Sequence, residues 1–247
     1  MKISLECKRI LVRTSSVVVV SILALASGAP SVWAQDTPVQ DDRPGLAVFE
    51  FANGGSYGPD REDFEALGVG LQQMLLTELM QNSELRIVER SVLREILAEQ
   101  DLAEAGRIDP ATAAEIGRLV GARYSITGVF ADLWGSFRID ARIIDGETGE
   151  ILRAERVRGD REDIYGLLVE LSGLMTAAAD LPPLPAVERE AREAREIPAQ
   201  AITLYSRAQV LEDLGETDGA RELYQRIVSD FPQMVEAEAA LRQLPVG

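Results

Sequence analysis

Apolar positions along this chain recur at two periods. Over residues 64–79 they fall three and four apart, at Phe64, Leu67, Leu71, Met74, Leu75 and Leu79. That spacing predicts a helix with one apolar face and with Gln72, Gln73, Glu78 and Gln81 turned outward. Asn82 and Ser83 stop it. The run Leu85, Ile87, Val88 is too brief for a helix and reads as a strand inside a sheet. Ser91 is expected to cap the next helix, whose Val92, Leu93, Ile96 and Leu97 turn back onto that sheet. Glu89 and Arg90, adjacent in a strand, point to opposite faces, so they read as a structural ion pair or cap and not as a catalytic pair.

The flanking stretches bring in the second period. GLAVFEF, residues 45–51, reads as a first strand. The loop after it, Asn53-Gly54-Gly55-Ser56-Tyr57-Gly58-Pro59, has the glycine content of a phosphate cradle. It lacks the P-loop lysine and the GxGxxG spacing, and a plain strand-to-helix connection is the better reading. Asp109 and Pro110 supply an N-cap and an N1 proline for a helix carrying Ala113, Ala114, Ile116 and Val120, ended by Gly121. Residues 124–134 and 137–145 are strands joined tightly around Gly135-Ser136. In the second, Phe137, Ile139, Ala141 and Ile143 alternate with Arg138, Asp140 and Arg142, giving one buried and one wet face. A turn over 145–149 leads to a strand over 150–158. Asp160 and Asp163 resemble a capping box for a helix carrying Ile164, Leu167, Leu168, Leu171, Leu174, Met175 and Ala178, and Pro182-Pro183 ends the domain. The order β-α-β-α-α-β-β-β-α predicts an α+β fold, a mixed α/β layer over 45–180 with helices on one or both faces of a largely antiparallel sheet.

Residues 181–200 form a proline-rich and charged linker in which EREAREARE, 188–196, reads as a solvated helix with opposite charges three and four apart. In the small α-helical hairpin of 201–247, Leu204, Leu211, Gly215, Ala220, Tyr224 and Pro232 sit where a tetratricopeptide repeat places its apolar, small and helix-ending residues. Arg207 and Ala208 depart from its usual Leu-Gly pair, and a plain helical hairpin is the competing reading. The resemblance implies a groove lined by Ile202, Tyr205, Gln209 and Glu212, the first set of candidate partner-binding residues. Trp134 and Phe137, flanking the hairpin tip, are the second: either an aromatic patch that meets a partner or a pair buried under a helix.

Composition narrows the chemistry. Among 247 residues there is no histidine, cysteine occurs once at Cys7, and lysine occurs at Lys2 and Lys8 alone. The body of the chain therefore has no imidazole base, Cys or His zinc site, disulfide or Schiff-base lysine. Nothing pairs two carboxylates at a pocket, so no catalytic, cofactor or metal site is expected. Lys2, Lys8, Arg9 and Arg13 precede an apolar run over 17–26, and Val32-Trp33-Ala34 puts small residues where a signal peptidase reads. Residues 1–34 read as a secretory signal peptide cleaved between Ala34 and Gln35, with 35–44 a flexible leader. A transmembrane anchor would need about 20 apolar residues, and lipidation would need a cysteine after the run, whereas Cys7 precedes it. The net charge is −16, and loss of the peptide removes four basic residues and one acidic residue. Such a chain repels phosphate backbones and anionic headgroups, so neither nucleic acid nor direct membrane binding through a basic patch is expected.

The blocks LAVFEF, GVGLQQMLLTELMQ, LRIVERSVLREILAEQ, ATAAEIGRLVGARYSITGVF and ARIIDGETGEIL, in this order over 45–179, resemble the CsgG family of curli assembly and transport components and the similarly folded LpoB-like proteins. The secretion-channel members of that family are lipoproteins with two membrane-spanning hairpins, one between the GA..ITG and ARIID strands and one after GEIL. Here nine residues separate Gly128 from Arg138, and Leu152 reaches Asp160 almost at once. Both insertions and the lipidated cysteine are missing. The resemblance thus implies the soluble periplasmic domain, acting as a non-catalytic adapter or assembly factor that binds protein partners in the cell envelope and meets the membrane through them. The alternative is a subunit of an oligomeric outer-membrane secretion complex, with this chain as a homo-oligomer; an envelope enzyme comes third.

Overall fold

The computed structural model describes residues 41–56, 61–100 and 108–245. The signal peptide with its cleavage pair Ala34 and Gln35, most of the leader, and the Tyr57-Gly58-Pro59 end of the glycine-rich loop lie outside the described residues. Strands β1 (Gly45–Asn53), β2 (Arg86–Ile87), β3 (Tyr124–Leu133), β4 (Ser136–Asp145) and β5 (Ile151–Asp160) form one sheet in the order β2-β1-β3-β4-β5. β1 pairs in parallel with β2 and β3, while β3, β4 and β5 make an antiparallel meander that holds most of the register pairs, so the α+β fold has a mixed, largely antiparallel sheet as expected. The connections explain this. Helix α1 (Arg61–Leu79) fills the crossover from β1 to β2, and α2 (Arg90–Glu99) with α3 (Pro110–Leu119) fills the return to β3, whereas the meander strands are joined by short turns.

β1 is buried on both faces, as its nearly continuous apolar run requires of a central strand. An irregularity in its register with β3, between Val48 and Phe51, reverses the alternation. Leu46, Val48 and Phe51 therefore join the core under α1, while Ala47 and Phe49 join a smaller core under α2 and α3 with Leu93, Ala113, Ile116 and Ile144. Asp109 caps α3 as expected, its Oδ1 accepting from the backbone N–H of Ala111 (2.9 Å) and Thr112 (3.2 Å). Ser91 lies inside α2, whose N-cap is Glu89 without a side-chain hydrogen bond; β2 ends at Ile87, so Glu89 and Arg90 open a helix instead of sharing a strand. Val92 is exposed and Leu93 buried. A 3-10 turn, Arg161–Asp163, separates β5 from α4 (Ile164–Ala178), and neither Asp160 nor Asp163 makes a side-chain cap bond.

The C-terminal part is four helices, α5 (Ala186–Glu193), α6 (Ala199–Asp213), α7 (Thr217–Asp230) and α8 (Val235–Gln243). One apolar core runs from Leu46 of β1 through α1 and α4 to Ile202, Tyr224 and Leu244. α1 is packed against β1 on one side and α6 on the other. That arrangement corrects the expected outward face of α1. Gln72 and Glu78 are buried, and Gln72 Nε2 donates to Val48 O, 2.7 Å away, where the β1 register shifts. The off-stripe residues Leu76 and Val69 are the trace in the sequence of this second buried side.

Candidate functional site

A groove of about 790 Å³ takes its walls from both ends of the described chain. Gln73, Leu76 and Thr77 of α1, with Met80 just after it, form its floor, β2 and the start of α2 one wall, and Tyr205, Gln209 and Glu212 of α6 with Glu236 of α8 the other. Among the lining residues are five arginines (Arg43, Arg86, Arg90, Arg192, Arg195) and three acids (Glu89, Glu212, Glu236).

Most of that positive charge is held internally. Glu78, 2% exposed, receives the guanidinium of Arg192 and accepts from Tyr165 Oη at 3.1 Å. Arg195 donates to both carboxylate oxygens of Glu236 (2.9 and 2.8 Å) and to Tyr165 Oη (3.0 Å), and its guanidinium lies 4.9 Å from the Tyr165 ring centroid. Burial, with the Glu78 carboxylate beside it, pushes the Tyr165 phenol up to about 12. This cluster joins α1 and α4 to α5, to the segment after it and to α8, and it corrects the picture of 188–196 as wholly solvated. On the other wall Arg90 pairs with Asp213 and donates to Gln209 Oε1 at 2.7 Å. Arg43 bonds Asp41 and the carbonyls of Ser83 and Leu85. Arg86 donates to Gly121 O, and its charge also acts on the Asp41 carboxylate.

Three of the four residues placed on a groove from the repeat resemblance line this one. Tyr205 and Gln209 are nearly covered, and Glu212 is exposed. Gln209 is held at both ends, since its Nε2 donates to Tyr224 Oη, which in turn donates to Glu212 Oε2 at 2.9 Å. Burial and the Glu212 carboxylate raise the Tyr224 phenol, and burial raises that of Tyr205, whose ring lies 5.8 Å from Tyr224. Ile202 is fully buried in the core and is not among the lining residues. Arg43, Met80, Arg192 and Arg195 had no groove signal in the sequence, because they lie outside the repeat-like segment and meet it through the docking of α6 on α1.

The hairpin tip divides its two aromatics. Phe137 is buried and stacks on Phe130 at 5.8 Å. Trp134 is 86% exposed and sits with Gly135 in a two-residue turn at φ +54° and +88°, the positive-φ pair that matches the twist of antiparallel strands. The turn is braced from behind. Asp132, fully buried, accepts from Gly135 N at 2.8 Å and pairs with Arg161, whose guanidinium lies 5.1 Å from the Phe64 ring centroid. In the described part of the glycine-rich loop, Asn53 Oδ1 accepts from the N–H groups of Gly55 (3.1 Å) and Ser56 (2.8 Å), and Gly54 N donates to Phe130 O. Those three amides are engaged within the fold. Among the described residues, no group of three or more acidic or cysteine side chains is placed to hold a metal ion, and no helix is long and apolar enough to cross a membrane.

The family model described as curli production assembly/transport component CsgG matches residues 28–132. This supports the CsgG-like resemblance carried by the sequence blocks. A protein of Rhizobium meliloti (strain 1021) named putative adenylate cyclase 3 is 28% identical over 216 residues, which cover 86% of this chain and 34% of that protein. The chain thus spans about a third of the length of that relative. Among solved structures, the LpoB C-terminal domain from Salmonella enterica aligns with 18% identity and a TM-score of 0.38 over 48% of this chain and 83% of that one. Lipoprotein GNA1162 from Neisseria meningitidis aligns with 13% identity and a TM-score of 0.39 over 55% and 96% of the two chains.

Proposed function

We propose that this chain is a non-catalytic adapter of the cell envelope, exported to the periplasm and processed between Ala34 and Gln35, that holds a protein partner in the groove between α1, β2 and α6–α8. The match to an assembly and transport family over 28–132 supports the setting. The observation that carries the reading is the groove itself. Its guanidiniums are mostly tied to Glu78, Asp213 and Glu236, so they fix the walls, while Met80, 59% exposed, Thr77, Arg86 and Glu212 are presented to whatever enters. Exposed methionine and arginine on a fixed frame are the composition of a protein contact surface. In this reading α6 and α7 serve as a tetratricopeptide-like pair docked on the sheet domain.

The test is a photoreactive residue in place of Met80, with a control in place of Val187, 78% exposed on α5 and not among the residues that line the groove. After illumination of envelopes, a defined protein is trapped from position 80 and not from 187. Equal trapping from both, or none from 80, ends the groove reading. A ring-sized particle by native mass measurement favours the oligomeric secretion-complex subunit instead.

A further inference from the structure

β5 is the outer strand of the sheet, and of its ten residues only Val157 is buried. The face of β4 and β5 turned away from α1 and α4 carries cross-strand rows of a kind unusual in so acidic a chain. Arg138 stands directly opposite Arg158, Asp140 opposite Arg156, and Arg142 opposite Ala154. The core under α2 and α3 reaches this face through Ile144 alone among the residues of β4 and β5, so Arg138, Arg142, Arg156 and Arg158 surround Asp140 on an uncovered surface, with Asp160 at its end opposite Ser136. Asp140 pairs with Arg138 at 2.8 Å and with Arg156. Arg158 Nε donates to Ser136 Oγ at 3.0 Å, and neither Arg158 nor Arg142 has a carboxylate partner among the described residues.

Like charges directly opposite on neighbouring strands destabilise a sheet. Charges on an edge strand guard against edge-to-edge aggregation, which accounts for Arg156 and Arg158 on β5. It does not account for Arg138 and Arg142 on β4, an interior strand that is already paired on both sides. An anionic occupant removes the repulsion.

We propose that this face and the free edge of β5 form a docking site for an extended acidic segment of a partner protein, added as a further strand with carboxylates at alternate positions facing Arg142, Arg156 and Arg158. Two features select a peptide over other polyanions. Among the described residues no strand pairs with the outer edge of β5, whose outward N–H and C=O groups recur at strand spacing, which another backbone satisfies and a glycan or lipid headgroup does not. The chain's net charge of −16 repels an extended polyanion or an anionic bilayer. A short segment meets the patch alone, because charges farther than about 8 Å are screened at physiological ionic strength. The site is separate from the groove and does not rest on it.

The experiment uses the full chain and a labelled synthetic peptide as long as β5 with Glu and Thr alternating. Controls are a peptide with Lys for Glu and one of the same acidic content interrupted by proline. Fluorescence anisotropy is expected to show saturable binding of the first alone, about tenfold weaker in R142E/R158E and weakened further by salt. Amide chemical-shift changes are expected to concentrate on Ile151–Asp160. Circular dichroism checks the fold of the variant, and R142Q/R158Q replaces it if it melts early. No binding of the acidic peptide, or equal binding of the proline-interrupted one, overturns the proposal. So does arginine-dependent binding of phosphatidylglycerol vesicles or heparin in the absence of peptide binding. Crosslinking from Met80 is expected to be unchanged in R142E/R158E, which separates failure here from failure of the groove.

Discussion

Gly70 of α1 faces Ser206 of α6 so closely that a β-carbon on Gly70 would lie 2.7 Å from Ser206 Cβ and 3.1 Å from its Cα, and would overlap Oγ. The Ser206 hydroxyl, which donates to Ile202 O 2.7 Å away, itself fills the space that a side chain on Gly70 would take. The C-terminal helices reach the sheet domain through this contact, and a missing side chain permits it.

Gly70→Ala measures that contact. In a solvated helix the change gains up to about 1 kcal/mol, whereas forcing atoms into a packed seam costs about 1–3 kcal/mol. The clash is with main-chain and Cβ atoms, so the loss is expected to win, by roughly 1 kcal/mol in urea unfolding. Ser206→Gly in the same chain is expected to return part of it. A Gly70→Ala protein as stable as the parent would show that α6 is positioned by something else.

Glu78→Ala is expected to be the more damaging change. It leaves the Arg192 guanidinium and the Tyr165 hydroxyl without their acceptor in a mostly buried site. Breaking such a pair from one side costs about 3–5 kcal/mol, and the partial exposure of Arg192 puts this case near the lower end. Denaturation midpoints of Glu78→Ala, Arg192→Ala and the double variant make a cycle. Strictly additive losses would mean that the pair is not coupled.

Stability should fall at alkaline pH. The Tyr165 phenol is pushed up to about 12 by burial and by Glu78, against about 10 in the unfolded chain. A raised folded value means that its contribution is complete below about pH 10 and is lost as pH climbs towards about 12. The raised Tyr224 and Tyr205 phenols act in the same direction. Melting temperature against pH, with phenolate absorbance recorded in parallel, checks this: Tyr165→Phe should flatten the decline, and an unchanged slope would remove Tyr165 as its source.

Trp134→Asn is expected to stabilise the fold. A bulky residue at φ +54° carries strain of about 1–3 kcal/mol, and asparagine adopts that region readily. With 86% of Trp134 exposed, little packing is lost, and a gain of about 1 kcal/mol in thermal unfolding is expected. A loss would show that the indole is packed on the tip after all.

Elements set by local chemistry were legible in the sequence. The Asp109-Pro110 start of α3, the alternation of β4 and the apolar stripes of α1 and α4 all follow from residues within one turn or one strand. The failures share a physical cause, since each depends on a partner distant in the chain. Gln72 and Glu78 read as outward because a helical stripe reveals one buried side, and the second side exists only once α6 and α8 have docked. Parallel pairing of β1 with β3 is a matter of crossover geometry, which strand composition does not encode. Tyr205, Gln209 and Glu212 were placed on a groove by resemblance, while Ile202, on the same helix, faces the core because α1 occupies that side.

Arg43, just ahead of β1, and Gln243, at the end of α8, line the same groove. Nearly the whole described chain lies between them, and contacts of such sequence separation bear the largest loop-closure entropy. The groove is therefore the last surface to be completed as the chain folds and the first to be lost when α8 frays. Whatever binds there touches the start of the sheet and the last described helix at once, and so reads whether the two are seated together.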